Sequence, residues 1–325
     1  MEDWTMIRIA LLGAGSHSRY NHGPGLRAAA AKYPDLVELA AVCDLDADRA
    51  QAYAEDFGFR KVYTDVHQMI DQEHLDGIVA ITPVPLTEQI ACALLPYRIP
   101  LVIEKPPGPD SASTARIIEV ADEYGTPHMV SLNRRFGPPR QRALQWLASQ
   151  TDPRPVRLAV SRMLRFNRRE PEFNTSTGIH IVDATLSLVG EPERVCACHL
   201  PSSTEGARLT QACVDFTNGN RAHIFLSPVV GNLEETYELH GEDYTVKIDD
   251  GAGSLQVWDH NQLVEEFTVP EDAEPAYRNG TFGEMEHFVL AVAGRADFTP
   301  DLRAARTSLM VAEAIDAGGE HDMRA

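Results

Sequence analysis

Between residues 6 and 132 short apolar runs alternate with amphipathic segments, and this alternation leaves the chain few folds. Residues 6–12, 36–43, 61–63, 77–81, 101–104 and 128–132 read as strands, and 46–56, 65–72, 86–95 and 111–124 as helices between them. Gly77-Ile78-Val79-Ala80-Ile81 and Leu101-Val102-Ile103 are apolar without interruption. Strands apolar on both faces need cover on both, so the expectation is a parallel sheet between two layers of helices. Ligands of such sheets bind at the carboxyl ends of the strands.

Three strand ends carry chemistry. The first strand runs into Gly13-Ala14-Gly15-Ser16-His17-Ser18, a G-x-G-x-x-S turn. Gly13 allows the tight turn, Gly15 lets a pyrophosphate approach the backbone, and the last position needs only a small residue. The helix that follows would aim its first N–H groups at phosphate. The second strand ends at Asp44, placed to accept hydrogen bonds from an adenosine ribose. Its charge would repel a 2′-phosphate and Leu45 and Asp46 supply no cation, so NAD is expected, with NADP the alternative. Asp44 could equally cap the 46–56 helix. A third strand ends in Glu104-Lys105-Pro106-Pro107. Proline stops strand pairing, which leaves Lys105 at the strand tip, where desolvation or a nearby cation eases loss of its proton. Thr82-Pro83 ends the neighbouring strand on the same edge.

The 325 residues are too many for one ordinary core and suit two domains. The charge of −19 argues against nucleic acid and anionic lipid as partners. No apolar run reaches the roughly 20 residues of a membrane span, and Met1-Glu2-Asp3-Trp4 lacks a basic leader region. The five cysteines are sparse and odd in number, as in a reducing, cytoplasmic setting with free thiols. No metal site is expected.

After Asn133-Arg134-Arg135-Phe136 the pattern changes. A helix at 139–149 and a proline-rich link, Asp152-Pro153-Arg154-Pro155, precede strand runs at 156–166, 194–200, 209–217, 221–228, 235–240, 244–249, 254–258 and 263–269. Asn218-Gly219 marks a hairpin. Helices are expected at 111–124, capped by Ser111, and at 178–188, 282–293 and 303–317. The expected fold is an α/β dinucleotide-binding domain over 1–132 and an α+β domain with an open, mainly antiparallel sheet over 133–325, the C-terminal helix being free to pack back on the first. His180 falls in the first turn of the 178–188 helix with Asp183 on a neighbouring face, which makes His180 a candidate acid or base. Arg162, Arg165, Arg168 and Arg169 crowd one short run and could clamp a carboxylate or phosphate; the alternative is a face paired with acids.

Taken in order, the glycine loop, Asp44, Thr82-Pro83, Glu104-Lys105-Pro106, Asn133-Arg134-Arg135-Phe136 and Gly178-x-His180-x-x-Asp183 resemble the Gfo/Idh/MocA oxidoreductases over nearly the whole length. The resemblance implies a Rossmann domain, a second domain whose sheet forms a homodimer or homotetramer, and hydride transfer between nicotinamide and a hydroxyl or carbonyl of a sugar, sugar acid or polyol. It implies Lys105 and His180 as catalytic groups meeting in the cleft between domains, and Gly13, Gly15, Ser16, His17, Ser18, Asp44, Thr82, Pro83, Glu104, Lys105 and Asn133 as cofactor contacts. With the arginine run it gives Lys105, Arg162, Arg165, Ser176, His180 and Asp183 as substrate contacts, and an anionic substrate as one option. Two positions depart from the family pattern. Ser176 stands where many members have an aspartate, so His180 lacks one means of keeping a raised pKa. Thr87 stands where many have a histidine. Two other functions share this scaffold: a regulator that binds NAD(P) without turnover, and a redox-neutral NAD-dependent lyase or hydrolase.

Overall fold

A computed structural model describes residues 6–150, 154–170 and 172–324. Met1-Glu2-Asp3-Trp4 and Asp152-Pro153 of the link lie outside the described residues. The chain divides into two units, 1–133 with 274–306 and 134–273 with 307–325. Among the described residues no helix is long and apolar enough to cross a membrane.

The first unit holds strands β1 (Ile7–Leu12), β2 (Val37–Cys43), β3 (Lys61–Tyr63), β4 (Gly77–Ala80), β5 (Leu101–Glu104) and β6 (His128–Ser131). They form one sheet in the order β3-β2-β1-β4-β5-β6, parallel throughout. Every residue of β4 and β5 is buried, as continuous apolar runs require when helices cover both faces. The strand order reverses between β1 and β4, so a crevice opens at their carboxyl ends. The Ser111–Tyr124 helix starts one residue earlier than a cap at Ser111 would allow. Its cap is Asp110, which accepts the Ser113 N–H at 2.6 Å while the Ser113 hydroxyl closes the box.

Segment 274–306, which the sequence reading groups with the second domain, belongs to the first unit. Its Thr281–Val292 helix packs on the His22–Lys32 helix at Gly25, where a Cβ would stand only 3.1 Å from Met285 Cγ and from the Thr281 carbonyl oxygen. Met285, Phe288 and Val289 are thereby buried. Helical periodicity marks this apolar face but not which sheet it covers.

The second unit contains β7 (Leu158–Leu164), β8 (Pro192–Pro201), β9 (Arg208–Phe216), β10 (Arg221–Ser227), β11 (Glu234–Gly241), β12 (Tyr244–Asp249), β13 (Ser254–Asp259), β14 (Gln262–Thr268) and β15 (Gly319–Asp322). Their order is β14-β13-β12-β11-β7-β10-β9-β8-β15, with β7 and β10 parallel and the other neighbours antiparallel. Burial alternates along β7, in contrast to β4 and β5, because only one face is covered. That face packs Val214, Ile224, Leu239, Val246 and Leu255 against Ile181 and Val182 of the Ile179–Val189 helix and Val311 and Ile315. The edge strand β15 reads Gly-Glu-His-Asp, which carries no strand pattern; pairing with β8 alone makes it one.

Candidate cofactor and catalytic site

The glycine loop is wedged between two strand ends. Gly13 donates its N–H to the Cys43 carbonyl of β2 at 2.9 Å and has φ +99°. A Cβ on Gly13 would overlap the Ile81 carbonyl oxygen beyond β4. Gly15 caps the Ser16–Tyr20 helix, and a Cβ there would meet nothing within 4 Å. The backbone is therefore bare where a pyrophosphate would approach, with Ser16 and His17 exposed beside it. The helix that follows is broken: Asn21 separates Ser16–Tyr20 from His22–Lys32. Ser18 is buried, and its hydroxyl lies 2.7 Å from Tyr53 Oη. A serine in the third glycine position is thus accommodated by a hydrogen bond to the Ala47–Phe57 helix.

Asp44 is buried at the tip of β2. Its Oδ2 accepts the Ala14 N–H at 2.8 Å, and its Oδ1 accepts the Asp46 N–H at 3.0 Å and Arg49 Nη2 at 2.5 Å. Burial pushes the carboxyl up, but the Arg49, Asp46 and Ala14 donors outweigh it and hold the pKa below the ordinary value. The helix cap is Asp46, which accepts the Arg49 N–H at 3.0 Å, and not Asp44. A cation does stand here, since Arg49 bridges Asp44 and Asp46, but both acids neutralise it. Next to the crevice, Pro83 caps the Val84–Leu94 helix and Thr82 Oγ1 lies 3.3 Å from Thr87 Oγ1. Buried Thr87 donates to the Pro83 carbonyl, a local role that a hydroxyl fills.

Lys105 follows β5 and is half-buried. The residue before it, Glu104, is buried among histidines: Oε1 lies 3.5 Å from His17 Nε2 and Oε2 lies 3.3 Å from His22 Nε2. Burial would raise the Glu104 pKa, yet His17 and His22 hold it well below the carboxylate range. His22 Nε2 is also 3.1 Å from Ser131 Oγ, and Ser131 gives its proton to Glu284 Oε2 at 2.9 Å. With that proton committed, Ser131 can only accept from His22, so Nε2 carries the hydrogen. One oxygen or ring nitrogen from each of His17, His22 and Glu104 lies within 4.8 Å of the others. Within this group the two rings stand at ion-pair distance from the Glu104 carboxylate, whose Oε2 makes no hydrogen bond among the described residues. Asn133 is buried and donates to the Asn279 carbonyl at 2.9 Å, tying the returning segment to the end of the sheet.

In the second unit His180 is half-buried in the first turn of the Ile179–Val189 helix, and Ser176 ends the Phe173–Ser176 helix just before it. Asp183 is fully buried; its two oxygens accept Arg135 Nη2 at 2.7 Å and Nε at 2.8 Å, and Ser308 adds a hydrogen bond at 2.9 Å. The structure thus commits Asp183 to the interior of its own unit, where it has no surface to offer a substrate. Arg162 on β7 pairs with Glu238 at 2.8 Å, Arg165 with Glu235, which also takes Arg134, and Arg168 with Glu170. His22, Ser131, Glu284 and Arg49 were not singled out from sequence, and Arg135 was named only as part of the Asn133-Arg134-Arg135-Phe136 run, without its partner Asp183. The one readable signal is that neighbouring parallel strands place Ser131 opposite Glu104.

A family model described as an oxidoreductase family with an NAD-binding Rossmann fold, GFO_IDH_MocA, matches residues 7–132. D-apiose dehydrogenase of Paraburkholderia graminis is 27% identical over 58% of this chain and 51% of its own length. Inositol 2-dehydrogenase of Corynebacterium glutamicum is 33% identical over 31% of this chain and 30% of its own. The chain therefore aligns with about half or less of these relatives. A dehydrogenase structure from Chromobacterium violaceum superposes with a TM-score of 0.84 over 96% of this chain and 95% of that one at 18% identity, which establishes a shared fold. Over residues 7–132 the chain is thus similar to the GFO_IDH_MocA oxidoreductases, and the parallel sheet of those residues is the Rossmann fold that the family model describes.

Proposed function

We propose that this protein is an NAD-dependent dehydrogenase or reductase acting on a hydroxyl or carbonyl of a sugar or polyol. The observation that carries this reading is Lys105, held directly after an anchored strand tip on the edge of the sheet that bears the glycine loop and Asp44. Relatives named for D-apiose and inositol support the substrate class. The bare backbone at Gly15 and the carboxylate of Asp44 suit a pyrophosphate and a ribose. When bound, NAD supplies the hydride acceptor or donor. Oxidation of an alcohol also releases a proton, which the Lys105 amine takes; in the reverse direction the ammonium returns it. His180 of the second unit is the second candidate acid or base.

Arg162 and Arg165 already face carboxylates, which favours an uncharged sugar over a sugar acid. We place the enzyme in the cytoplasm, consistent with five unpaired thiols. We also expect it to be a homodimer or homotetramer through the second unit's sheet, whose strands expose Leu200, Leu209, Trp258 and Leu263. The test is nicotinamide absorbance during a screen of neutral sugars, polyols and sugar acids with NAD and NADH. Net reduction of NAD by a neutral sugar or polyol, lost in Lys105→Met by about 10²- to 10⁴-fold with NAD affinity kept, is expected. Tight NAD binding with no turnover across the screen, or product without net NADH, would replace this function with a regulator or a redox-neutral enzyme.

A further inference from the structure

We propose that His22 is a positioning residue: its Nε2–H, fixed by Ser131, holds the Glu104 carboxylate and so fixes the strand tip from which Lys105 projects. This rests on the reading of Lys105 as the proton-transferring group. Four side chains of the first unit make a continuous series. Glu284 accepts from Ser131 at 2.9 Å, Ser131 lies 3.1 Å from His22 Nε2, and the same nitrogen lies 3.3 Å from Glu104 Oε2. His22 is 2% exposed, Ser131 4%, Glu104 7% and Glu284 0%, so water does not compete for these contacts. The members come from four elements that the fold fixes: the start of the His22–Lys32 helix, the paired tips of β5 and β6, where Glu104 is the register partner of Ser131, and the Thr281–Val292 helix.

The direction of each bond follows from the chemistry. A carboxylate only accepts, so Ser131 must donate to Glu284 and is left as an acceptor. His22 must then present a hydrogen at Nε2, which goes to Ser131, and the ring edge that carries it stands 3.3 Å from Glu104 Oε2, an oxygen with no hydrogen bond of its own among the described residues. Glu104 needs this contact, because a buried carboxylate with no positive ring edge beside it would protonate or move. His17 contacts the other oxygen but is exposed, so it can leave with little cost. The His22 ring edge is the contact that remains. Since Glu104 and Lys105 are consecutive, a shift of the Glu104 carboxylate re-aims the lysine, and misplacement by about 1 Å can cost about a hundredfold in rate.

Glutamine at position 22 can present an N–H near the place of Nε2, whereas leucine fills similar space without one. His22→Gln is expected to keep kcat within about threefold, and His22→Leu to lose about 10- to 100-fold in kcat with the NAD dissociation constant unchanged and the pH profile of kcat displaced. Full activity in His22→Leu, or equal losses in both variants with matching falls in Tm, would overturn the proposal. Nitrogen-15 NMR of the histidine rings gives a readout that needs no turnover: His22 should be the Nε2–H tautomer in the wild type and should change in Ser131→Ala. A neutral Nδ1–H ring would overturn the proposal even if Lys105 proves catalytic. The expected tautomer together with a fully active Lys105→Met would instead remove the catalytic reading and leave the clamp standing.

Discussion

Ala14, inside the glycine loop, donates its backbone N–H to Asp44 at the tip of β2 at 2.8 Å. The residue expected to select the ribose therefore also sets the shape of the loop expected to take the pyrophosphate. Asp44→Ala removes both functions. Loss of hydrogen bonds to a charged acceptor is worth about 1.5–3 kcal/mol, so NAD should bind about 10- to 100-fold more weakly. Fluorescence titration with NADH measures this, and an unchanged dissociation constant would remove Asp44 from the site.

Cofactor preference follows from the neighbour of Asp44. Arg49 contacts Asp44 at 2.5 Å and Asp46 at 3.5 Å, and its guanidinium is thereby occupied. Asp44→Ser takes away the repelling charge and frees the arginine for a 2′-phosphate. The ratio of NADP to NAD affinity should rise by about tenfold or more, and Arg49→Ala in the same background should reverse the gain. A ratio that stays put in Asp44→Ser would show that Arg49 does not face the ribose.

Gly13 is where the loop has least freedom. With φ +99° and the Ile81 carbonyl in the way of a Cβ, Gly13→Ala must move either the loop or the end of β4. A loss of about 2–4 kcal/mol in urea unfolding is expected. Gly15→Ala meets nothing within 4 Å and should keep stability while weakening NADH binding. The reverse pattern in these two variants would contradict the assignment of the loop.

How far the sequence reached can be seen at particular residues. The parallel sheet was readable because β4 and β5 are apolar on both faces, and Gly13, Asp44 and Lys105 were readable because each ends a recognisable strand. Partners distant in the chain were not. Tyr53, which accommodates Ser18, and Glu284, which anchors Ser131, are 35 and 153 residues from the groups they bind, and no local pattern connects them. The arginine run shows the same limit: Arg162 is plain in the sequence, but its acid, Glu238, is 76 residues away on another strand. The return of 274–306 to the first unit depends on the packing of Met285 at Gly25, which apolar periodicity cannot direct.

Asp183 carries a prediction of stability rather than binding. Asp183 is fully buried and Arg135 half-buried in this bidentate pair, so removing the acid leaves a partly buried guanidinium without this carboxylate. Asp183→Ala should cost about 2–3 kcal/mol in urea unfolding. A variant of ordinary stability with a raised KM would return Asp183 to the substrate site.

The second unit also predicts a stability that depends on pH through Asp250. Its Oδ2 is buried with no hydrogen-bond partner among the described residues. Burial, and then the charge of Glu235, push its carboxyl up to about 7 against the opposing pull of Arg134 and Arg140. An unfolded aspartate titrates near about 3.9. Between these two values the folded chain holds a proton that the unfolded chain has released, so unfolding gains stability relative to folding as pH rises through the window. Above about pH 7 both states are ionised at this position and the penalty is constant. Asp250→Asn mimics the protonated acid at every pH. The variant should therefore gain on the wild type in urea unfolding free energy as pH goes from about 4.5 to about 7.5, with no further gain beyond. A difference between the two proteins that is flat across that range would mean that Asp250 is ionised in the fold and that its neighbours neutralise it.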